Sequence, residues 1–201
     1  MHRASLLRRL AAYRTIWAEG AIHYPGYHRE REHGVLERFE RFVRETPTCF
    51  ERSHSQGHVT GSALVVSENG RVLLTLHRKL GAWLQLGGHA DGDPEVQRVA
   101  LKEAEEESGL PDLRFLSYEG RVGAEPHLPF DLDIHAIPAR PGEPEHYHYD
   151  VRFLLVTSEP VLARATSESR ALRWFELPKA REITREESML RQFDKLEALY
   201  L

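Results

Sequence analysis

Three glutamates near the middle of the chain have a spacing that suits metal-assisted chemistry. Glu103, Glu106 and Glu107 follow at intervals that place them on one face of a helix, whereas Glu105 points away. Like charges at such spacings destabilise a helix by about 0.2–0.5 kcal/mol per pair unless a cation offsets them. Hard divalent cations prefer oxygen ligands, so the pattern predicts a cation site. The alternative that spacing alone leaves open is a solvated acidic face.

Sequence signals also predict the helix that carries these carboxylates. Asp93 can cap its start, Pro94 suits the first helical position, and Gly109 can end it in a left-handed conformation. The apolar side of this helix comprises Val96, Val99, Ala100 and Ala104. We therefore expect one side of the helix to pack on the core and the acidic side to remain available.

Histidines form a second pattern, on predicted strands. Strand alternation sends His146, His148, Asp150 and Arg152 to one face of the segment 146–158. The segment 130–138 likewise aligns Asp131, Asp133 and His135. If the two strands pair, they form a face rich in histidine and aspartate. That face is either a solvated surface or a site for substrate or a transition metal, because imidazole is a common ligand for such ions.

Two more histidines flank the same region. His58 opens a predicted strand, and His89 directly follows the Gly87–Gly88 turn. We predict that His58 and His89 meet one of His146 or His148 close to the carboxylate helix. Three imidazoles would favour Zn²⁺ or Mn²⁺, in a second metal site separate from the glutamates. Scattered surface histidines are the alternative.

The surrounding elements predict an α+β or mixed α/β sandwich. Two helices come first: Leu6, Leu10, Tyr13 and Trp17 recur at helical spacing, as do Leu36, Phe39 and Val43. A hairpin turns at Asn69-Gly70, and strands are predicted over 113–122, 130–138, 146–158 and 170–177. A last helix is predicted from Thr184, with a capping box to Glu187. We expect residues 1–50 to form a helical extension packed on a catalytic domain of residues 51–201.

Composition narrows the class of protein. A formal net charge of -4 gives no overall attraction to a nucleic-acid polymer or an anionic membrane, and no apolar run suits a transmembrane helix. The single cysteine, Cys49, cannot form an internal disulfide, which fits a reducing compartment. We therefore expect a cytoplasmic protein that acts on a small molecule, and the sequence leaves a homodimer open.

The segment from Gly88 to Leu110 resembles the Nudix box, G-x5-E-x7-R-E-U-x-E-E-x-G-U, where U is aliphatic. Gly88 matches its first glycine, and Glu103, Glu106 and Glu107 match its core glutamates. The resemblance implies a Nudix-like α/β/α sandwich with a mixed sheet. It also implies metal-dependent hydrolysis of a diphosphate linked to another moiety, with catalytic Mg²⁺ or Mn²⁺ on the three glutamates. Substrate contacts are expected from Gly87, Gly88, Arg152 and Glu168.

The chain departs from the Nudix pattern at two positions. Pro94 stands at the early glutamate and Lys102 at the arginine, so we expect Glu95 and Lys102 to form a shifted supporting pair. These departures keep open a Nudix-fold module that binds a ligand without catalysis. His58 and His89 also resemble the metal ligands of isopentenyl diphosphate isomerase, but Gly87 occupies the position of the cysteine which that isomerase needs.

Overall fold

An eight-stranded mixed sheet with helices around it organises the molecule in the computed structural model, which describes residues 2–78, 80–116, 127–164 and 169–200. This architecture confirms the predicted mixed α and β fold class. The strands are β1 Gly57–Ser67, β2 Val72–His77, β3 Trp83–Leu84, β4 Leu86–His89, β5 Arg114–Phe115, β6 Asp131–Ile137, β7 His146–Thr157 and β8 Ser169–Phe175. The helices are α1 Ala4–Tyr13, continued by a π-helical segment Arg14–Ala18, α2 Arg29–Glu45, α3 Val96–Ser108, α4 Leu177–Ile183 and α5 Glu187–Tyr200.

The centre of the sheet is a parallel pair formed by β1 and β7, in register from Gly57 opposite Tyr147 to Ser67 opposite Thr157. β2 pairs with β1 on the other side through the predicted hairpin, in which Gly70 has a φ of +81°. β4 pairs with β1, β6 and β5 pair with β7, and β2 carries β3 and β8. The strands that bear the predicted histidine and aspartate face, β6 and β7, are therefore direct neighbours.

The two faces of β1 meet different elements. On one face α3 packs so closely that a Cβ on Gly61 would lie 2.6 Å from the carbonyl oxygen of Val96, which is why glycine is needed there. His58, Thr60 and Ser62 alternate with Gly61 and point to the opposite face. On that face Ser62 bonds to Asp150 of β7, and α5 lies nearby, since Arg152 donates to the carbonyl of Ser188.

The N-terminal helices share the hydrophobic core with the sheet. The residues predicted at helical spacing in α1, α2 and the π-helical segment are all fully buried: Leu6, Leu10, Tyr13, Trp17, Leu36, Phe39 and Val43. Trp17 contacts Phe130 at 6.0 Å between ring centroids, and Phe42 stacks on Tyr149 at 3.8 Å. The helices are thus packed on the sheet, while a domain boundary at residue 50 stays a prediction.

Several boundaries differ from the sequence-based expectations. The sequence pattern did not predict the short helix α4. At its end, the carbonyl oxygen of Ala180 accepts a hydrogen bond from the backbone N–H of Thr184. The expected capping box at Thr184 therefore does not form, and α5 begins at Glu187. Asp93 does accept the N–H of Glu95, but Glu95 has a non-helical ψ of 69° and α3 begins at Val96. The strand expected over 113–122 is limited to β5, and its part from 117 lies outside the described residues.

Across the described ranges, no helix combines the length and apolar character needed to cross a membrane.

Candidate functional site

The three glutamates of α3 share one side of the helix, as their spacing predicted. The inward side buries the expected apolar residues, with Val96, Ala100 and Ala104 fully buried. Glu103 and Glu107 are half-buried and Glu106 is exposed. A Cβ added to Gly88 would lie 2.5 Å from Oε2 of Glu103, so the absence of a side chain on Gly88 makes room for that carboxylate. A carboxylate held against the turn that precedes the helix fits a site for a hard divalent cation.

Neighbouring charges hold the start and middle of α3. Lys102 pairs with Glu106, with Nζ 3.5 Å from Oε1. Glu95 accepts hydrogen bonds from Ser5 Oγ at 3.0 Å and Gln97 Nε2 at 2.6 Å. The expected pairing of Glu95 with Lys102 is therefore wrong, because the first is drawn to α1 and the second to the acidic side of α3. These contacts make α1 a support for the segment that leads into α3.

The residues predicted to bind substrate have different positions. Gly87 and Gly88 pair with Ser62 and Gly61 in the sheet, where close approach to Ser62 and Glu103 excludes a side chain. Arg152 is only 2% exposed, and its guanidinium contacts carboxylates rather than an open surface. The expectation of substrate contact by Arg152 is therefore corrected to a buried structural role. Glu168 lies outside the described residues. Substrate contact by the two glycines stays a prediction.

Four histidines meet at the ends of β1, β4 and β7. The ring centroid of His58 lies 5.1 Å from that of His89, 5.2 Å from His146 and 4.8 Å from His148. In the described parts of the chain, one group of three residues could hold a metal ion: His58, His146 and His148. One ring nitrogen from each of them lies within 4.8 Å of the other two. The predicted proximity of His58 and His89 is present, but both β7 histidines join this set and His89 lies beside it. The expected position close to the carboxylate helix is corrected, because these side chains are on the face of the sheet opposite α3.

The histidine cluster, as we call His58, His89, His146 and His148, has buried nitrogens without partners. Both ring nitrogens of His58 and Nε2 of His146 and His148 are buried with no hydrogen-bond partner among the described residues. An unsatisfied buried polar group of this kind costs about 1–3 kcal/mol. Burial, reinforced by His89 and His146, lowers the pKa of His58 to about 4. Burial, reinforced by His135 and His58, lowers the pKa of His148 to about 2, so both imidazoles are neutral near pH 7.

A second buried polar cluster occupies the same sheet face, and there every charge has a partner. We call it the Asp131 network. It comprises four carboxylates and four cations: Glu32, Asp131, Asp133 and Asp150 with Arg31, Arg152, Arg191 and Lys195. Asp131 itself accepts from Arg191 at 2.8 and 3.0 Å and from Lys195 at 2.8 Å. Burial alone would raise the pKa of Asp131, but Arg191, Lys195 and Arg31 hold it well below its usual value.

The chemistry of Cys49 does not fit the isomerase alternative. Cys49 is fully buried, and burial raises the pKa of its thiol to about 11, so the thiol stays protonated near neutral pH. A reactive cysteine needs an accessible thiolate. The protonated thiol argues against a nucleophile, and its full burial, with Gly87 in the cysteine position, argues against the acid of that reaction.

The sequence pattern did not predict that the loop before β1, at Glu51 and Arg52, contacts the segment between β4 and α3. Arg52 makes a two-bond ion pair with Asp91, both bonds 2.5 Å long. A Cβ on Gly92 would lie 2.9 Å from Oε1 of Glu51, so that carboxylate also borders the segment. These pairs join residues far apart in the chain, and no local spacing could have revealed them.

The comparisons with known proteins bear on the fold. A family model of the NUDIX domain matches residues 57–196. No protein of curated function matches the sequence. Among solved structures, an Ap4A hydrolase from C. elegans has a TM-score of 0.54 and 17% identity, covering 71% of this chain and 96% of that one. The dihydroneopterin triphosphate pyrophosphohydrolase of E. coli gives 0.51 and 16%, covering 68% and 92%. A NUDIX-family hydrolase from Clostridium perfringens gives 0.50 and 20%, covering 71% and 97%. At these identities the structures share the fold.

Proposed function

Because the chain belongs to the Nudix family and is a hydrolase, we propose that it cleaves a diphosphate linkage with the help of Mg²⁺ or Mn²⁺. The proposed substrate is a nucleoside diphosphate linked to another moiety, or a similar compound. Glu103, Glu106 and Glu107 are the proposed metal ligands and catalytic residues. The observation that carries the proposal is the acidic side of α3, packed through Glu103 against the Gly88 turn.

The donor set on α3 fits the proposed ion. Mg²⁺ and Mn²⁺ are bound chiefly by carboxylate oxygens and water, and α3 offers three carboxylates spaced i, i+3 and i+4 on one side. A bound ion would neutralise phosphate oxygens and lower the pKa of an attacking water. Such a cation also removes the repulsion between neighbouring glutamates that the bare helix carries.

The protein's own residues position this acidic side. Gly61 lets α3 approach β1, and Gly88 lets the carboxylate of Glu103 approach β4. Ser5 and Arg9 of α1 hold Glu95 just before α3, with Arg9 Nη2 3.8 Å from Glu95 Oε2. At the other end, Gly109 ends the helix in a left-handed conformation, with a φ of +68°. A fixed helix keeps catalytic groups in register with the reacting phosphates.

The substrate class rests on the family and on the names of its fold neighbours. Those neighbours are named as an Ap4A hydrolase and a dihydroneopterin triphosphate pyrophosphohydrolase. A small phosphorylated molecule is accordingly the proposed partner. We further propose a cytoplasmic location, on the basis of the single cysteine.

A substrate screen tests the proposal. Untagged protein is incubated with nucleotide sugars, dinucleoside polyphosphates, oxidised nucleotides and coenzyme A, in Mg²⁺, in Mn²⁺ and in excess chelator. Phosphate released after coupling to a phosphatase specific for the monoester products is the readout. We expect hydrolysis of at least one class with metal and its loss with chelator. Hydrolysis that persists undiminished in chelator would contradict the metal dependence, and no hydrolysis of any class would contradict the diphosphate assignment.

A further inference from the structure

The histidine cluster takes no part in the proposed hydrolysis, yet it has the features of a binding site. His58 is 2% exposed and His146 is 5% exposed. Four ring nitrogens of His58, His146 and His148 are buried with no hydrogen-bond partner in the described chain. Folding normally pairs such groups, so a set of them turned toward one another indicates a ligand from outside the chain.

We propose that His58, His146 and His148 form a three-histidine site for a divalent transition-metal ion, with Zn²⁺ as the favoured ion. Their donor nitrogens all lie within 4.8 Å of one another. With Zn–N bonds of about 2.0–2.1 Å, tetrahedral ligands stand about 3.4 Å apart, so only small side-chain rotations are needed. Imidazole nitrogens suit Zn²⁺ and its neighbours in the transition series, whereas Mg²⁺ prefers oxygen.

The chain already orients one ligand. Nδ1 of His146 lies 2.9 Å from the carbonyl oxygen of Pro144, which can only accept a hydrogen bond. Nδ1 therefore carries the proton, and the lone pair is on Nε2, which has no hydrogen-bond partner and lies 3.8 Å from Oε1 of Glu143. Metal-binding histidines are commonly fixed by a carbonyl in this way. His89, with its ring centroid 5.1 Å from those of His58 and His148, borders the set.

The site is separate from the acidic side of α3. Gly61 and Gly88 turn toward α3, and the strand residues that alternate with them turn to the other face. His58 is on β1 and His89 on β4, and their rings are in contact on that second face. The two proposed metal sites therefore lie on opposite faces of the sheet, linked by the peptide between Gly88 and His89. Binding at the histidines can be tested without any hydrolysis assay.

The experiment measures Zn²⁺ binding to untagged, metal-free, full-length protein. Zn²⁺ is titrated against a chromophoric competing chelator, and bound metal is quantified by mass spectrometry after gel filtration. To remove binding at α3, the titrations are repeated in a Glu106→Gln background. We expect one Zn²⁺ per chain in both proteins. Single His146→Gln and His148→Gln substitutions should weaken binding at least about 100-fold, because each removes one of three ligands.

The matched control is His135→Gln. The ring of His135 lies 5.4 Å from that of His148, but His135 is outside the set and should leave Zn²⁺ affinity unchanged within about threefold. Circular dichroism of each metal-free variant checks its fold. Unchanged affinity in folded His146→Gln and His148→Gln proteins overturns the site, as does loss of binding in His135→Gln alone.

A measurement on the wild-type chain keeps the test independent of the variants. Co²⁺ added to the metal-free protein should give the intense visible absorption of a four-coordinate site with nitrogen ligands. A weak six-coordinate spectrum, or fewer than about one ion bound for every two chains, overturns the proposal.

Discussion

The Asp131 network and the histidine cluster are both buried, both polar and both on the face of the sheet opposite α3, yet they differ in one respect. In the Asp131 network, four carboxylates meet four cations from α2, β7 and α5. In the histidine cluster, nitrogens of three imidazoles have no hydrogen-bond partner in the described chain. The protein completes the first region with its own residues, whereas the second has unpaired ring nitrogens that the proposed Zn²⁺ would bind.

This difference teaches how to separate structural from functional polar groups. A network whose charges balance fixes elements relative to one another, here α5 and α2 on the edge strand β6. Buried polar atoms that lie close together without hydrogen-bond partners are rare in folded proteins, so such a group indicates binding of a ligand. On α3, three like charges on one helix face would also be stabilised by an external cation.

The largest expected effect is on stability, through Asp131. We expect Asp131→Asn to lower the free energy of unfolding by about 3–5 kcal/mol, because it leaves buried cations without their carboxylate. Urea denaturation followed by circular dichroism measures it. The matched control is Asp91→Asn, which removes an exposed ion pair with Arg52 and should change stability by about 1 kcal/mol or less. Equal effects of the two substitutions would contradict the structural role of the network.

The pH dependence of stability should also reveal the Asp131 network. Burial opposes ionisation of Asp131 and Glu32, but nearby cations hold the pKa of each below its ordinary value. Carboxyls with a depressed pKa in the folded state stabilise it above their unfolded pKa, about 4, and lose that contribution as pH falls toward the folded value. We expect the unfolding free energy to decline below about pH 4–5, and less steeply in Asp131→Asn. Equal slopes in the two proteins would refute this.

The sequence predicted the parts of the fold that depend on local pattern. The Asn69-Gly70 hairpin, the buried residues of α1 and α2 and the shared side of the three glutamates follow from spacing along one segment. Pairings between distant segments could not be predicted in the same way. The Asp131 network joins α2, β6, β7 and α5, and single-sequence periodicity carries no information on such partners. For this reason Arg152 was assigned to substrate although it is enclosed by aspartates.

The histidine cluster was partly predictable because strand alternation sorted the residues of β7 by face. Alternation could not show that β1 lies parallel to β7 with His58 opposite His148, which brings both β7 histidines into the set. The sequence therefore predicted which histidines share a face of β7, whereas only the fold showed which residues of β1 lie beside them.

A smaller effect on stability is expected in the histidine cluster without metal. His146→Gln should change the unfolding free energy of metal-free protein by about 1 kcal/mol or less, because Nε2 has no hydrogen bond to lose and lies 3.8 Å from the exposed carboxylate of Glu143. Zn²⁺ at about 100 times its dissociation constant should then stabilise the wild type by about 2.7 kcal/mol and the variant much less. Thermal and urea unfolding with and without Zn²⁺ measure both quantities. A large loss in metal-free His146→Gln would make the cluster a structural region like the Asp131 network.

The smallest effect is expected from Cys49, a buried group that belongs to neither region. Cys49→Ser should leave hydrolysis within about twofold of wild type, because the thiol is protonated and enclosed in the core. Steady-state hydrolysis of the substrate found in the screen measures it. Complete loss of activity in a folded Cys49→Ser protein would give the cysteine a role in the reaction.

The most direct test of the proposed function compares glutamates on opposite sides of α3. Glu106→Gln and Glu107→Gln should each lower kcat at saturating Mg²⁺ by at least about 10², since a metal ligand is lost at constant volume. Glu105→Gln alters an exposed glutamate on the same helix that points away from the other three, and it should retain wild-type kcat. Zn²⁺ binding at the histidines should persist in all three variants. Near-wild-type hydrolysis by folded Glu106→Gln and Glu107→Gln proteins would contradict the assignment of the catalytic metal to α3.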